Sequence, residues 1–267
     1  MHVHASTIRG LLVRGMLAGL IAGLFAFAVA YVVGEPSVDG SIAVEEAQAV
    51  QEHHAGHGAP PSQEEEEAVS RPVQSTAGLA TGVLVYGVAL GGIAALAFSF
   101  ALGRVGRFSP RATAALLAAA AFTTVCLVPF LKYPATPPAV GNPDTIGKRT
   151  TLFFLMILLS VLLGVAAVIA GRRLARRLGN WNATVAAGAG FVAVTAAAFV
   201  FLPSNDDAVK VGFPAALLWE FRIASLAVQA MLWTVFGIVF GMLAQRLLTS
   251  PPAGAEAAPG TQVPALN

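Results

Sequence analysis

The chain has 267 residues, 56% of them apolar and only 11% charged, with a mean hydropathy of +0.73. A soluble domain carries roughly a quarter charged residues, so these are too few to cover a globule of this size. The balance points to an integral membrane protein and excludes a soluble enzyme, a nucleic-acid-binding protein and a disulfide-stapled secreted domain. The one cysteine, Cys126, has no second thiol in the chain to pair with.

Six long neutral windows separate the charges, at 15–34, 72–103, 112–131, 150–171, 178–205 and 223–245. A helix needs about 20 apolar residues to cross the hydrocarbon core, and every window supplies them. The spacing predicts six transmembrane helices near 12–33, 78–102, 112–131, 151–170, 184–202 and 223–245. Helices are favoured over barrel strands because the apolar runs are continuous and do not alternate. Pro129 and Pro203 are expected at helix exits, where a missing backbone donor costs little. An N-terminal signal peptide is disfavoured, because the first apolar run is longer than a signal core.

Basic residues set the orientation. Arg9, Arg14, Arg104, Arg107, Arg111, Arg172, Arg173, Arg176, Arg177 and Arg246 fall on one side, ten of the 16 Lys and Arg residues. Thirteen of the 14 acids fall on the other, with only Glu256 on the Arg-rich side. The Arg-rich side is expected to be cytoplasmic. The expected fold is therefore an all-α integral membrane protein of six transmembrane helices in three hairpins, with N and C termini cytoplasmic. Residues 1–11 form a cytoplasmic N-terminus, 12–249 the membrane domain and 250–267 a disordered cytoplasmic tail. The external segment 34–77 is rich in Glu, Ala, Gln, Pro and Ser, without periodicity that would give it a fold.

Hairpins two and three match in outline, each leaving through a proline (Pro129, Pro203) and re-entering after an arginine (Arg149, Arg222). Such matching fits either a parallel repeat or the general likeness of short-looped hairpins. Gly15, Gly19 and Gly23 form a double GxxxG; Gly87 with Gly91 and Gly237 with Gly241 form single ones. These grooves serve packing within the chain or contacts between subunits.

The most informative constellation lies in the first external loop. His53, His54 and His57 form HHxxH, and Glu64, Glu65, Glu66 and Glu67 follow. In a local helix His53 and His57 share a face, and imidazole with carboxylate suits cobalt, nickel, copper or zinc. The plainer alternative is a solvated acidic linker. His2 and His4 fall on the opposite side. The span cores carry no His, Asp, Glu, Lys or Arg, leaving Thr123, Thr124, Cys126, Gln229, Thr234, Met156 and Met231 as midplane donors. Lys132, Tyr133, Asp144, Lys148 and Arg149, with Asp206, Asp207, Lys210, Trp219, Glu220 and Arg222, charge the other external loops. Tyr133 and Trp219 fit an interfacial aromatic belt. Gly141–Thr150 fails as a phosphate loop, because five residues separate its glycines and Arg149 stands where Ser or Thr must meet magnesium.

VSRPVQSTAGL (69–79), VPFLKYPATPPAVGNPDTIGKRT (128–150) and FPAALLWEFRIASLAVQAMLW (213–233) resemble the CbtA family of predicted cobalt transporter components. The resemblance runs from about Arg14 to Arg246. It implies a bacterial plasma-membrane protein that imports Co2+, with Ni2+ a second candidate, for cobalamin synthesis. It also implies a small His-bearing membrane partner, CbtB-like, and matches His53, His54 and His57 to the family's His-containing first loop. No tightly bound cofactor and no enzymatic activity are expected. The path is expected to need that partner or a homo-oligomer. The alternative is a non-transporting membrane scaffold that presents divalent metal to another permease.

Overall fold

The computed structural model describes residues 5–55, 70–138, 145–204, 209 and 212–249. All regular structure among them is helical. Helix α1 (Ala5–Val29) passes through a π-helical turn, Ala30–Gly34, into α2 (Glu35–Ala55). A short α3 (Arg71–Val73) passes through a second π-turn, Gln74–Gly78, into α4 (Leu79–Ala101). Then α5 (Pro110–Ala121) passes through a third, Phe122–Leu127, into α6 (Val128–Lys132), and α7 (Ile146–Phe201) and α8 (Ala215–Thr249) follow. Among the described residues, five continuous helices are long and apolar enough to cross a membrane: Ser6–Val50, Arg71–Ala101, Pro110–Lys132, Ile146–Phe201 and Ala215–Thr249.

Local signals explain the boundaries. Ser109 caps α5 by accepting from the Ala112 N–H at 3.2 Å, with Pro110 at the first helical position where no donor is needed. Helix α4 ends where Gly103 takes a φ of 73°, a left-handed conformation that glycine adopts without penalty.

Two expectations from sequence are corrected. Segment 34–77 was expected to lack a fold, yet helix continues through Ala55 and resumes at Arg71. The π-turns Ala30–Gly34 and Phe122–Leu127 each end two residues before a proline, Pro36 and Pro129. Glu35 N–H bonds to Ala30 O and Val128 N–H to Thr123 O. That i→i−5 register shifts the ladder just where proline would interrupt it, so the helix passes the proline instead of stopping.

The second correction concerns 151–202, expected as two spans joined by a loop. Its residues are helical throughout except at Gly179, with φ 76° and ψ 164°. A straight helix would hold Leu152 and Phe199 about 70 Å apart at 1.5 Å per residue. Both instead join one apolar cluster with Val128, Tyr133 and Met156. A Cβ added to Gly171 would lie 3.2 Å from that of Ala187. Helix α7 therefore folds back on itself at Gly179, with no intervening loop.

Glycines set the packing of the remaining bundle. A Cβ on Gly19 would overlap the Gly87 carbonyl, one on Gly91 the Gly15 carbonyl, and one on Gly87 would lie 2.5 Å from Gly19 O. Partner numbers fall as the others rise, so α1 and α4 are antiparallel and almost in backbone contact. A Cβ on Gly237 would come within 2.9 Å of the Ala118 Cβ, and one on Gly241 within 3.4 Å of Arg111 Cα, which seats α5 against α8. All three GxxxG motifs thus serve packing within the chain. Along α8, Leu247 lies beside Gly10 and Leu217 beside Gly40, so α8 is antiparallel to α1 and their outermost turns share one end. The core between them holds Leu11, Ala18, Ala22, Phe98, Leu232, Trp233, Phe236 and Phe240. Phe98 meets Phe240 edge-on at 5.1 Å, and Phe240 stacks on Phe236 at 5.2 Å; such pairs add about 0.5–1.5 kcal/mol each. Helix α8 packs chiefly on α1 and α5, not on the adjacent half of α7, so the outline match of hairpins two and three does not extend to their packing.

Candidate functional site

The sequence-predicted capture residues lie at the edge of what is described. His53 and His54 fall in the last turns of α2. His57, Glu64, Glu65, Glu66, Glu67, His2 and His4 lie outside the described residues. Among the described residues no group of three or more His, Cys, Asp or Glu is gathered closely enough to hold a metal.

The polar chemistry that is gathered sits at one end of the α1–α4–α8 bundle, the end carrying Glu35. There Arg71, from the start of α3, reaches across to α2. Its Nη2 donates to Glu35 Oε2 and, at 2.7 Å, to Asp39 Oδ1, while its Nε donates to the same Asp39 oxygen at 3.0 Å. Glu35 and Asp39 stand one helical turn apart and so share a face. Their side chains differ in exposure, 13% for Glu35 against 61% for Asp39.

Directly below that ion pair lies a crevice of about 570 Å³ between α4 and α8, lined by Glu35, Gln74, Gly82, Tyr86, Gln229 and Leu232 among others. At its floor a chain of hydrogen bonds crosses three helices. Trp233 Nε1 donates to Cys126 Sγ at 3.3 Å, and Cys126 Sγ donates to Gln229 Oε1 at 3.5 Å. The Gln229 amide also hydrogen-bonds the Tyr86 phenol. Each member is thereby satisfied, as polar groups in an apolar bundle must be. Gln229 follows Arg222 by seven residues on α8, so it lies about 10 Å along the helix from Arg222. A groove of similar volume between α1 and α4 is lined only by Leu, Met, Val, Ala, Gly and Ile and offers a cation nothing.

Sequence reasoning flagged Cys126 and Gln229 but missed Tyr86, hidden in an apolar span, and Glu35, assigned to a loop. A signal was available. Glu35 closes the first neutral window and Arg71 opens the second, so an antiparallel hairpin places them at one depth. Among the other midplane candidates, Thr123 and Thr124 bond their own helix at Ala119 O and Ala120 O, and Met156 is fully buried in the α7 cluster.

The segment Lys132–Ala135 straps helix ends together on the side of the bundle that carries Glu35. Lys132 Nζ donates to Phe199 O at 2.8 Å, Tyr133 OH to Pro203 O at 2.9 Å, and Arg222 Nε to Ala135 O at 3.3 Å. Tyr133 is therefore buried, 5% exposed, not open as a belt residue would be, and burial raises its phenol pKa; Trp219 is 61% exposed. Deeper down, Ser160 Oγ donates to the Thr124 carbonyl of the third π-turn and, at 2.9 Å, lies within bonding distance of Ile157 O.

Comparison with known proteins bears on what this arrangement is for. The family model described as "Probable cobalt transporter subunit (CbtA)" matches residues 8–245. No curated protein and no solved structure matches the chain. The match covers nearly its whole length, and the chain belongs to the CbtA family.

Proposed function

We propose that this member of the CbtA family is the membrane-embedded subunit of a cobalt importer in a bacterial plasma membrane, supplying Co2+ for cobalamin synthesis. The observation that carries the reading is the family match over 8–245. The polar crevice at the outer end of an otherwise apolar bundle supports it, since polar groups at membrane depth mark ion pathways more often than packing alone requires. In this reading the polypeptide crosses six times, the two halves of α7 counting separately, and both termini are cytoplasmic. The loop bearing His53, His54, His57 and Glu64–Glu67 collects metal outside. A small CbtB-like subunit or a second copy completes the path, because the described residues do not assemble a strong metal-binding set of their own.

The test is cell-associated cobalt and nickel, measured by mass spectrometry in metal-starved cells. Three strains express the chain alone, the chain with a CbtB-like partner, or neither. Cobalt should rise only where the chain is present, and comparison of the first two strains shows whether one subunit suffices. No rise in either would favour the scaffold that hands metal to another permease.

A further inference from the structure

We propose that Arg172, Arg173, Arg176 and Arg177 form a docking site for the phosphodiester headgroup of an anionic phospholipid. The proposal takes the chain to be embedded in a membrane and is otherwise independent of the importer reading.

The four arginines stand between two neutral windows, 150–171 and 178–205, each long enough to cross a bilayer. They therefore lie where both arms of α7 leave the hydrocarbon, at headgroup depth. Helix α7 has Leu152 beside Val128 and Tyr133, then Ser160 and Gly164 beside Thr124. Its fold-back at Gly179 thus lies toward the end where α5 begins, away from Glu35. The described acids, Glu35, Asp39, Glu45, Glu46, Glu52 and Glu220, belong to α2 and the start of α8, at the other end.

At about 100° per residue the four positions fall within an arc of about 140° on one helix face, and all four are exposed. Arg172 with Arg176, and Arg173 with Arg177, are like charges four residues apart, which repel on a helix. Among the described residues nothing relieves them, for the four make no ion pair and no hydrogen bond there. Arg14 and Arg104 instead donate to Gly10 O and Phe100 O on their own helices. Just past the fold-back, Trp181 is 79% exposed, an aromatic ring of the type that seats at headgroup depth. An arc of unpartnered cations beside an open indole matches an amphiphile with an anionic head and apolar tails.

The residue type selects phosphate. The orientation rule counts positive charge and is met by lysine as well as by arginine. Yet all ten basic residues of the Arg-rich set are arginine, and the three lysines of the chain, Lys132, Lys148 and Lys210, lie outside it. A guanidinium gives a phosphate two parallel hydrogen bonds, which an ammonium cannot. A merely solvated charge run requires neither the shared face nor the arginine.

The test is native mass spectrometry of the full-length chain in detergent, mixed with equal amounts of dioleoyl-phosphatidylglycerol and dioleoyl-phosphatidylcholine. The chain should retain the anionic lipid at least about tenfold over the zwitterionic one. Arg172→Gln, Arg173→Gln, Arg176→Gln and Arg177→Gln made together should bring that ratio close to one. Arg172→Lys, Arg173→Lys, Arg176→Lys and Arg177→Lys keep the charge, and with it insertion into the membrane, and should still lose several-fold of the preference. Full preference in the lysine variant would overturn the guanidinium–phosphate recognition, and this variant carries the test if the glutamine one does not insert. A control removes four charges scattered over three segments, through Arg9→Gln, Arg104→Gln, Arg107→Gln and Arg111→Gln, and should keep most of the preference. Equal loss in the two glutamine variants would reduce the effect to net charge and overturn the site, as would equal retention of both lipids by the parent. Millimolar inorganic phosphate should leave the lipid bound; displacement would mean a site for the free anion and would likewise overturn the proposal.

Discussion

Gly87→Ala tests the close packing of α1 on α4. The added Cβ would lie 2.5 Å from Gly19 O, whereas carbon and oxygen normally rest about 3.3 Å apart in close helix contacts. The helices must therefore part by roughly 0.8 Å. Overpacking of that kind costs about 1–3 kcal/mol, and at 2–4 °C per kcal/mol for a chain of this size the melting temperature should fall by roughly 2–12 °C. Gly82, five residues earlier on the same helix, has no atom within 4 Å of its added Cβ. Gly82→Ala should leave melting unchanged or raise it, since alanine is the better helix former by about 1 kcal/mol. Thermal unfolding of detergent-solubilised protein, followed by fluorescence-detected size exclusion, reads both. If Gly87→Ala melted with the parent, or Gly82→Ala fell as far, the close approach of the two backbones would not be what holds these helices together.

The joint change His53→Ala, His54→Ala and His57→Ala should weaken cobalt uptake when metal is scarce and matter little when it is abundant; equal uptake at every concentration would remove the capture role. Ser160→Ala should lower thermal stability by about 1 kcal/mol, because it leaves the partly buried Thr124 carbonyl without this partner; unaltered melting would mean the π-turn carbonyl finds another donor. Tyr133→Phe removes the bond to Pro203 O and should cost about 1 kcal/mol at neutral pH. Burial raises the Tyr133 pKa, so the stability it confers is fully present below the ordinary phenol value near 10 and is lost as pH rises through the folded value. The gap in melting temperature between parent and variant should accordingly close in alkaline buffer, and a gap independent of pH would contradict the assignment.

Much of the fold was legible because charge is forbidden in lipid: among the described residues, each helix long and apolar enough to cross a membrane contains a neutral window, α7 containing two. The glycine triplet in α1 was legible as a packing face, but its partner was not, since spacing alone does not say which of several small-residue stripes it meets. The helix end near Pro36 was misread for one physical reason, a π-turn that lets the helix carry proline inside it, whereas the span carrying Pro129 ends at Lys132, one residue past the expected 131. The polar floor was half legible. Cys126 and Gln229 stood out as donors in apolar runs, whereas Tyr86 reads as one more aromatic until the antiparallel register brings it to Gln229. Glu35 looked like the first residue of a loop because a neutral window ended there, although the helix did not. Lys132 and Tyr133 were legible as residues at a helix end, but their role as a strap depends on Phe199 and Pro203, roughly seventy positions away.

The π-turn at Ala30–Gly34 also fixes an angular phase. Each residue of an α-helix advances about 100° around the axis, and the wide turn lodges one more residue than an α-turn would. Deleting a single residue from the α-helical stretch between Gly23 and the turn, with the turn keeping its i→i−5 register, would swing α2 by about 100° relative to the glycine stripe of α1. Glu35 and Asp39 would then point away from Arg71 while every residue of the α1–α4 seam stayed in place. The number of residues between Gly23 and Glu35 therefore matters more than their identity, and it acts as the setting that aims the carboxylates.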